Sequence, residues 1–285
     1  MRRDHVMTKP TLHLVALSTR HSCIMEACFT VWVRRMTLHD SSTDYELHLH
    51  TSAVMGNSTF GTPGWLAAQT ERVRNIARFL HSASENATVI FTDLDVVPLR
   101  PYGELLTTYL PAGRDITWMY NFQKHSPYNS GFMLARNTRN VREFVDVWLA
   151  ACLHDARSGD QRIANALLYE ARMNRNLAWS VNSGIFPRTL VTGGSTWTDE
   201  QGPPPANSTD DVSWLTAETV SFHTIGHGST DSKLLRVEEV LRTMHRLVRA
   251  KRTQGQPAAV QDAVWQTACD RTAAEESCRQ RTEDR

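Results

Sequence analysis

Two carboxylates one residue apart, Asp93 and Asp95, are the residues of this chain whose type and spacing best suit chemistry. They follow Val89 to Thr92, a short apolar and β-prone run that predicts a buried strand. Side chains alternate along an extended backbone, so both carboxylates lean to one side. Two hard oxygen donors at the carboxyl end of a central strand suit a divalent cation, with its other positions left to water and substrate phosphates. The plainer reading is a turn, because Asp is common where strands stop and Pro98 follows closely. The apolar lead-in weighs against it, since an acidic strand end beside a core is costly unless a cation or donor waits there.

The elements that must position this pair follow from periodicity. Thr11 to Ser18 reads as a first strand ending at Thr19 and Arg20, polar groups at the edge where open α/β sheets bind nucleotides. Cys23 to Met36 has helical spacing, and Tyr45 to His50 alternates as a second strand. His48 and His50 share the non-core face of that strand and read as solvated or covered residues rather than metal ligands. Thr62-Pro63 predicts an N-cap and first turn for a helix to about Ser82. That helix carries Arg72, Arg74 and Arg78, a solvated face from which one arginine could reach a diphosphate. Past the central strand, Pro101 opens a short helix through Leu110, and Asp115 to Tyr120 is a further strand. Tyr128 to Arg136 is β-prone and entered through Asn129-Ser130-Gly131. Gly131 lets backbone approach a ligand closely, and Asn129 offers a donor and an acceptor to sugar hydroxyls. Thr138 caps a helix to about His154. Asp160 and Gln161 open the next, where Asp160 suits an N-cap. Thr219 to Ile225 predicts a last strand, followed by Gly226 and His227, and a helix from about Ser232 to Ala250 closes the fold.

Size and charge narrow the function. A chain of 285 residues buries one substantial core. The expected organisation is an extension over residues 1–10, a catalytic domain over 11–250, and a polar tail over 251–285. The net charge of +1 leaves no electrostatic footprint for nucleic acid or an anionic membrane surface. No apolar run reaches membrane-spanning length, and the N-terminus lacks a signal-peptide core. The five cysteines, Cys23, Cys28, Cys152, Cys269 and Cys278, lack zinc-site spacing and argue against a disulfide scaffold. Cys28 and Cys152 read as small core residues, while Cys269 and Cys278 could pair in an oxidising compartment. Asn57, Asn86 and Asn207 head N-x-S/T sequons, a weak pointer to the secretory pathway.

Taken together, Asp93-x-Asp95, the Asn129-Ser130-Gly131 run, Asp160-Gln161, and His223-x-x-Gly226 with Lys233 downstream resemble nucleotide-diphospho-sugar transferases of the glycosyltransferase-A fold. The likeness covers about residues 11–250 and points toward plant and algal cell-wall galactosyl-, xylosyl- and arabinosyltransferases. It implies an α/β fold with a mixed, mostly parallel Rossmann-like sheet flanked by helices. It also implies a UDP-sugar donor, a glycan or glycoprotein acceptor, and transfer with retention. Asp93, Asp95 and His223 would hold manganese (or Mg2+), with His227 the alternative imidazole. Lys233 would neutralise the departing diphosphate. Asn129, Asp160 and Gln161 would line the sugar pocket, with Asp160 nearest the reacting carbon. Such enzymes usually carry an N-terminal anchor, so the expected location is the Golgi or secretory lumen if an anchor precedes this sequence, and the cytoplasm otherwise.

Two further readings stand beside this one. An apolar strand ending in Asp93-x-Asp95 also resembles the first motif of haloacid-dehalogenase-type phosphatases, with Asp93 as nucleophile and Asp95 as acid/base. That reading needs Lys233 and Asp210-Asp211 in the reverse of the usual order. A non-catalytic sugar-nucleotide binder of the same fold is the third.

Overall fold

The runs of apolar and helical spacing fold into nine strands and six helices among the described residues. The computed structural model describes residues 9–18, 23–52, 62–123, 126–155, 157–174, 176–193, 215–216, 218–224 and 230–253, with 274 and 276. In chain order the elements are β1 (Thr11–Ser18), α1 (Cys23–His39), β2 (Asp44–Thr51), α2 (Pro63–Ser82), β3 (Thr88–Thr92) and β4 (Val96–Pro98). There follow α3 (Gly103–Tyr109), β5 (Ile116–Gln123), β6 (Ser126–Arg136), α4 (Arg139–His154), α5 (Asp160–Met173), β7 (Ser183–Ile185), β8 (Val191–Gly193), β9 (Ser221–His223) and α6 (Thr230–Thr253).

A six-stranded sheet in the order β2-β1-β3-β6-β5-β7 forms the centre. β2, β1 and β3 pair in parallel, β6 runs against both β3 and β5, and β7 is parallel to β5, so β6 alone is reversed. The sheet is therefore mixed and mostly parallel, with helices on both faces. Strand alternation explains the layers. Leu12, Leu14 and Ala16 of β1 face one way and pack with Phe29 and Trp32 of α1 and with Val237, Val240 and Met244 of α6. Val15 of β1 and Val89 and Phe91 of β3 face the other way, onto Ile76 of α2, Phe144 and Trp148 of α4, and Leu168 of α5. Each such side chain contributes about 1.5–3 kcal/mol on burial. A small second sheet, β4-β9-β8, abuts the first.

Local chemistry sets the helix starts. Thr62 and Thr138 accept backbone N–H bonds from Trp65 and Val141, each at 3.3 Å, and so cap α2 and α4. α3 lacks a side-chain cap of its own. The Tyr45 hydroxyl substitutes by accepting from the Tyr102 and Gly103 amides at 2.8 and 3.0 Å.

Several expectations change. Gly159, not Asp160, caps α5, and Asp160 is the first helical residue with its side chain turned inward. Cys28 is buried in the core but is also disulfide-bonded, as is Cys23, so the expected absence of disulfide scaffolding does not hold; Cys152 is free and buried. α6 continues to Thr253, across the expected boundary at residue 250. Ala274, within the expected polar tail, is buried in the first core. No helix among the described residues is long and apolar enough to cross a membrane. Asn57, Asn207, Asp210, Asp211, Cys269 and Cys278 lie outside the described residues.

Candidate active site

The carboxyl end of β3 is where the fold gathers its charge. β3 stops at Thr92, and the Asp93 amide donates to the Gly131 carbonyl at 2.8 Å, tying the strand end to β6. The chain then turns through Leu94 and Asp95 into β4, which pairs antiparallel with β9 so that Val96 lies opposite His223. The Thr224 amide donates to the Asp95 carbonyl at 3.1 Å and secures that join. As a result the His223 Nε2 lies 3.1 Å from Asp95 Oδ1 and 3.6 Å from Asp93 Oδ2. Some 130 residues of sequence separate the imidazole from the acids, and backbone pairing alone brings them together.

β6 bends to make room. Its register with β5 shifts between Trp118 and Met119, whose partners are Met133 and Asn129, so Ser130, Gly131 and Phe132 form a bulge without β5 partners. A Cβ at Gly131 would sit 2.3 Å from His223 Cε1 and 2.7 Å from its Nδ1. The close approach expected at this glycine is thus made by the His223 ring. Asn129 is buried, and its Oδ1 accepts from the Gly131 amide at 2.7 Å, holding the bulge.

Arg72 comes from α2 and is nearly enclosed. Its Nη1 lies 2.6 Å from Asp93 Oδ1 and its Nε 3.0 Å from Asp160 Oδ2, and its other terminal nitrogen contacts Asp160 and Ser130 Oγ. The guanidinium is therefore occupied in clamping Asp93 to Asp160. Arg74 and Arg78, by contrast, turn to Glu71 on the helix surface. Asp160 is buried at 3 % exposure, with Oδ2 on Arg72 and Oδ1 accepting from the Gln161 amide at 2.7 Å. Burial raises its pKa above the ordinary carboxylate range, and Arg72 offsets only part of that. Gln161 accepts from the Ser130 amide at 3.3 Å, so α5 and the β6 bulge are joined at the site.

Lys233 reaches in from α6, with Nζ 2.5 Å from Asp95 Oδ2. Burial alone would raise the Asp95 pKa, but the Lys233 and His223 charges and hydrogen bonds prevail and hold it well below the usual range. For Lys233, burial pulls the pKa down and Asp95 more than restores it, leaving it raised. The carboxylates of Asp93, Asp95 and Asp160 thus face the Arg72 guanidinium and the Lys233 ammonium.

The donor set fits a divalent cation. Ligand atoms of Asp93, Asp95 and His223 all lie within 4.8 Å of one another. Hard carboxylate oxygens with one imidazole suit a divalent metal ion. His223 Nδ1 is buried without a hydrogen-bond partner, so the ring is oriented by packing and presents its other nitrogen to the acids.

The sequence reading overlooked three supports. Ser130 offers both its carbonyl and hydroxyl to Arg72. Trp148 Nε1 donates to the Asp160 carbonyl at 2.9 Å. Asn165 holds the Tyr128 backbone at both its amide and its carbonyl. Ser130 was discoverable from its place between Asn129 and Gly131; the other two carry no local signal. Thr19, Arg20, Gly226 and His227 lie outside the described residues. So do Asp210 and Asp211, which the phosphatase reading requires.

Comparison with known proteins adds to this geometry. The profile of the nucleotide-diphospho-sugar transferase family matches residues 25–236. Among solved structures, the fold is similar to galactosyltransferase LgtC bound to donor and acceptor sugar analogs, at TM-score 0.50 and 9 % identity over 85 % of this chain and 99 % of that one. It is similar also to the glycosyltransferase GlyE of Streptococcus pneumoniae, at TM-score 0.50 and 13 % identity over 89 % of this chain and 66 % of that one. No curated protein matches the sequence.

Proposed function

Since this chain belongs to the nucleotide-diphospho-sugar transferase family and has the glycosyltransferase-A fold, we propose that it is a metal-dependent glycosyltransferase moving a sugar from a UDP-sugar to a glycan or glycoprotein acceptor, with retention. The observation that carries this reading is the meeting of Asp93, Asp95, His223 and Lys233 at one strand end. Asp93, Asp95 and His223 would hold the ion, manganese or magnesium, which when bound neutralises diphosphate charge as the leaving group departs.

The remaining work falls to the protein. Lys233 supplies a fixed ammonium for the diphosphate, in a setting where burial strengthens its field. Arg72 pairs with both Asp93 and Asp160 and so offsets the repulsion between two close carboxylates. Asn129, Asp160 and Gln161 would set the donor-sugar side. Thr19, Arg20 and Gly226 are assigned to the nucleotide and diphosphate on sequence grounds. In the transfer, the bond from anomeric carbon to phosphate oxygen breaks with its electron pair on UDP. The acceptor oxygen bonds on the same face, and its proton passes to the departing phosphate oxygen, so no protein nucleophile is required. For location we favour a secretory lumen. The disulfide-bonded Cys23 and Cys28 fit an oxidising compartment, and Asn86 is an exposed sequon in a turn.

The test is a panel of nucleotide sugars with purified protein and manganese. Hydrolysis or transfer that needs both a UDP-sugar and the ion, and disappears in Asp95→Ala, is the expected result. Ligand-induced stabilisation by beryllium fluoride with none by UDP would overturn the reading in favour of a phosphatase. Tight UDP-sugar binding with no turnover in the presence of acceptor mixtures would leave a binder.

A further inference from the structure

A second cluster of metal-ligating side chains lies apart from the acids at the β3 end, where β1 and β2 run in parallel. The register sets His13 opposite Glu46 and Val15 opposite His48, so His13, Glu46 and His48 share the face turned away from Leu12 and Leu14. His13 Nδ1 is 3.2 Å from His48 Nε2. Glu46 reaches both rings, with one oxygen 3.3 Å from His13 Nδ1 and the other 3.5 Å from His48 Nε2. We propose that His13, Glu46 and His48 form a second metal site, for a zinc-class ion that clips the edge strand β2 to β1.

Three observations support the assignment. In a tetrahedron the edge is about 1.63 times the distance from centre to corner, so the 3.2 Å between His13 Nδ1 and His48 Nε2 fits two corners around an ion about 2.0 Å from each, the zinc–nitrogen length, with a Glu46 oxygen 3.3 Å from the first nitrogen. Two imidazoles and one carboxylate suit zinc, and Glu46 at 56 % side-chain exposure leaves the fourth position to water. Phe79 of α2 packs against both rings, at centroid distances of 5.5 Å to His13 and 4.8 Å to His48, and so fixes their orientation. A histidine pair sharing one proton would account for the 3.2 Å contact alone. It does not account for a carboxylate whose two oxygens meet the two nitrogens, at 3.3 and 3.5 Å.

Cobalt(II) is a suitable probe, because tetrahedral cobalt absorbs visible light far more strongly than octahedral cobalt. Titrated into the metal-free full chain, it should give one equivalent of a strong band that zinc displaces. The band should persist in Asp95→Asn and vanish in His13→Gln and His48→Gln. Glu46→Gln touches only an exposed side chain, so it keeps the test readable if a histidine variant unfolds; cobalt affinity there should fall by at least about tenfold, as even outer partners of a metal commonly do. Absence of the band in the native chain, its loss in Asp95→Asn, or its survival undiminished in the three variants would overturn the proposal.

Discussion

Gly131 and His223 depend on one another through a missing methyl group. With 2.3 Å between a built Cβ and the imidazole, and with both elements pinned by backbone pairing, Gly131→Ala must push the ring off the acids. Manganese-dependent UDP binding is expected to fall at least about tenfold, or about 1.4 kcal/mol, while circular dichroism stays native. Unchanged affinity by calorimetry would remove His223 from the site. Asp95 makes a second residue-scale prediction. Its folded pKa is lowered, so its contribution to stability is fully present above the ordinary value of 3.8 and is lost as pH falls from there through the folded value. In chelator-treated protein, the urea midpoint of native chain minus that of Asp95→Asn should be largest near neutrality and shrink below about pH 4. A gap that widens on acidification would contradict the Lys233 and His223 pairing.

At the scale of elements, the site rests on joints more than on single helices. Asn137 is wholly buried where β6 ends, and the two hydrogens of its side-chain amide serve the carbonyls of Leu80, Ala83 and Ser84, each 2.9 to 3.0 Å away, with one hydrogen shared between two of them. It thereby closes the C-terminal turn of α2, the helix that carries Arg72. Asn137→Ala strips partners from three carbonyls and should cost about 2–3 kcal/mol. Its neighbour Thr138 caps α4 and donates to Asp115 Oδ1 at 3.2 Å, and Thr138→Ala should cost about 1 kcal/mol. Urea denaturation of the two variants decides the order, and equal losses would mean the joint carries no more than a cap. The β6 bulge is a joint of the same kind, held by Asn129 within and by Asn165 and Gln161 from α5.

Over the whole molecule, two cores share one sheet, so they should unfold together. The disulfides at Cys23 and Cys28 anchor α1, which lines the first core. Reduction should therefore lower stability by about 2–5 kcal/mol, seen as a lower melting temperature in a single transition. A melting temperature indifferent to reductant would argue against those bonds. Cys152 should stay unmodified by alkylating reagents until the chain unfolds, because burial in the second core pushes its thiol up to about 12.

Much of this molecule was legible in its residues. The strands β1, β2 and β3 and the helices α2 and α4 show their period and caps within a few residues, because side-chain alternation and N-cap chemistry are local. Asp93 and Asp95 announce themselves for the same reason, as polar groups ending an apolar strand. What the sequence could not settle by its own pattern is which distant groups face them. Arg72, Arg74 and Arg78 look alike on one helix, and only the packing of Val73, Ile76 and Leu80 turns Arg72 inward, onto an Asp160 that lies 88 positions away. Asp160 looked like a cap, yet the chain places the cap at Gly159 and the carboxylate on Arg72. His13 and His48 carry no shared motif, and only the parallel register of β1 and β2 makes them neighbours. Local geometry is written in neighbouring residues, whereas a site assembled from four strands and three helices exists only once burial has chosen which faces meet.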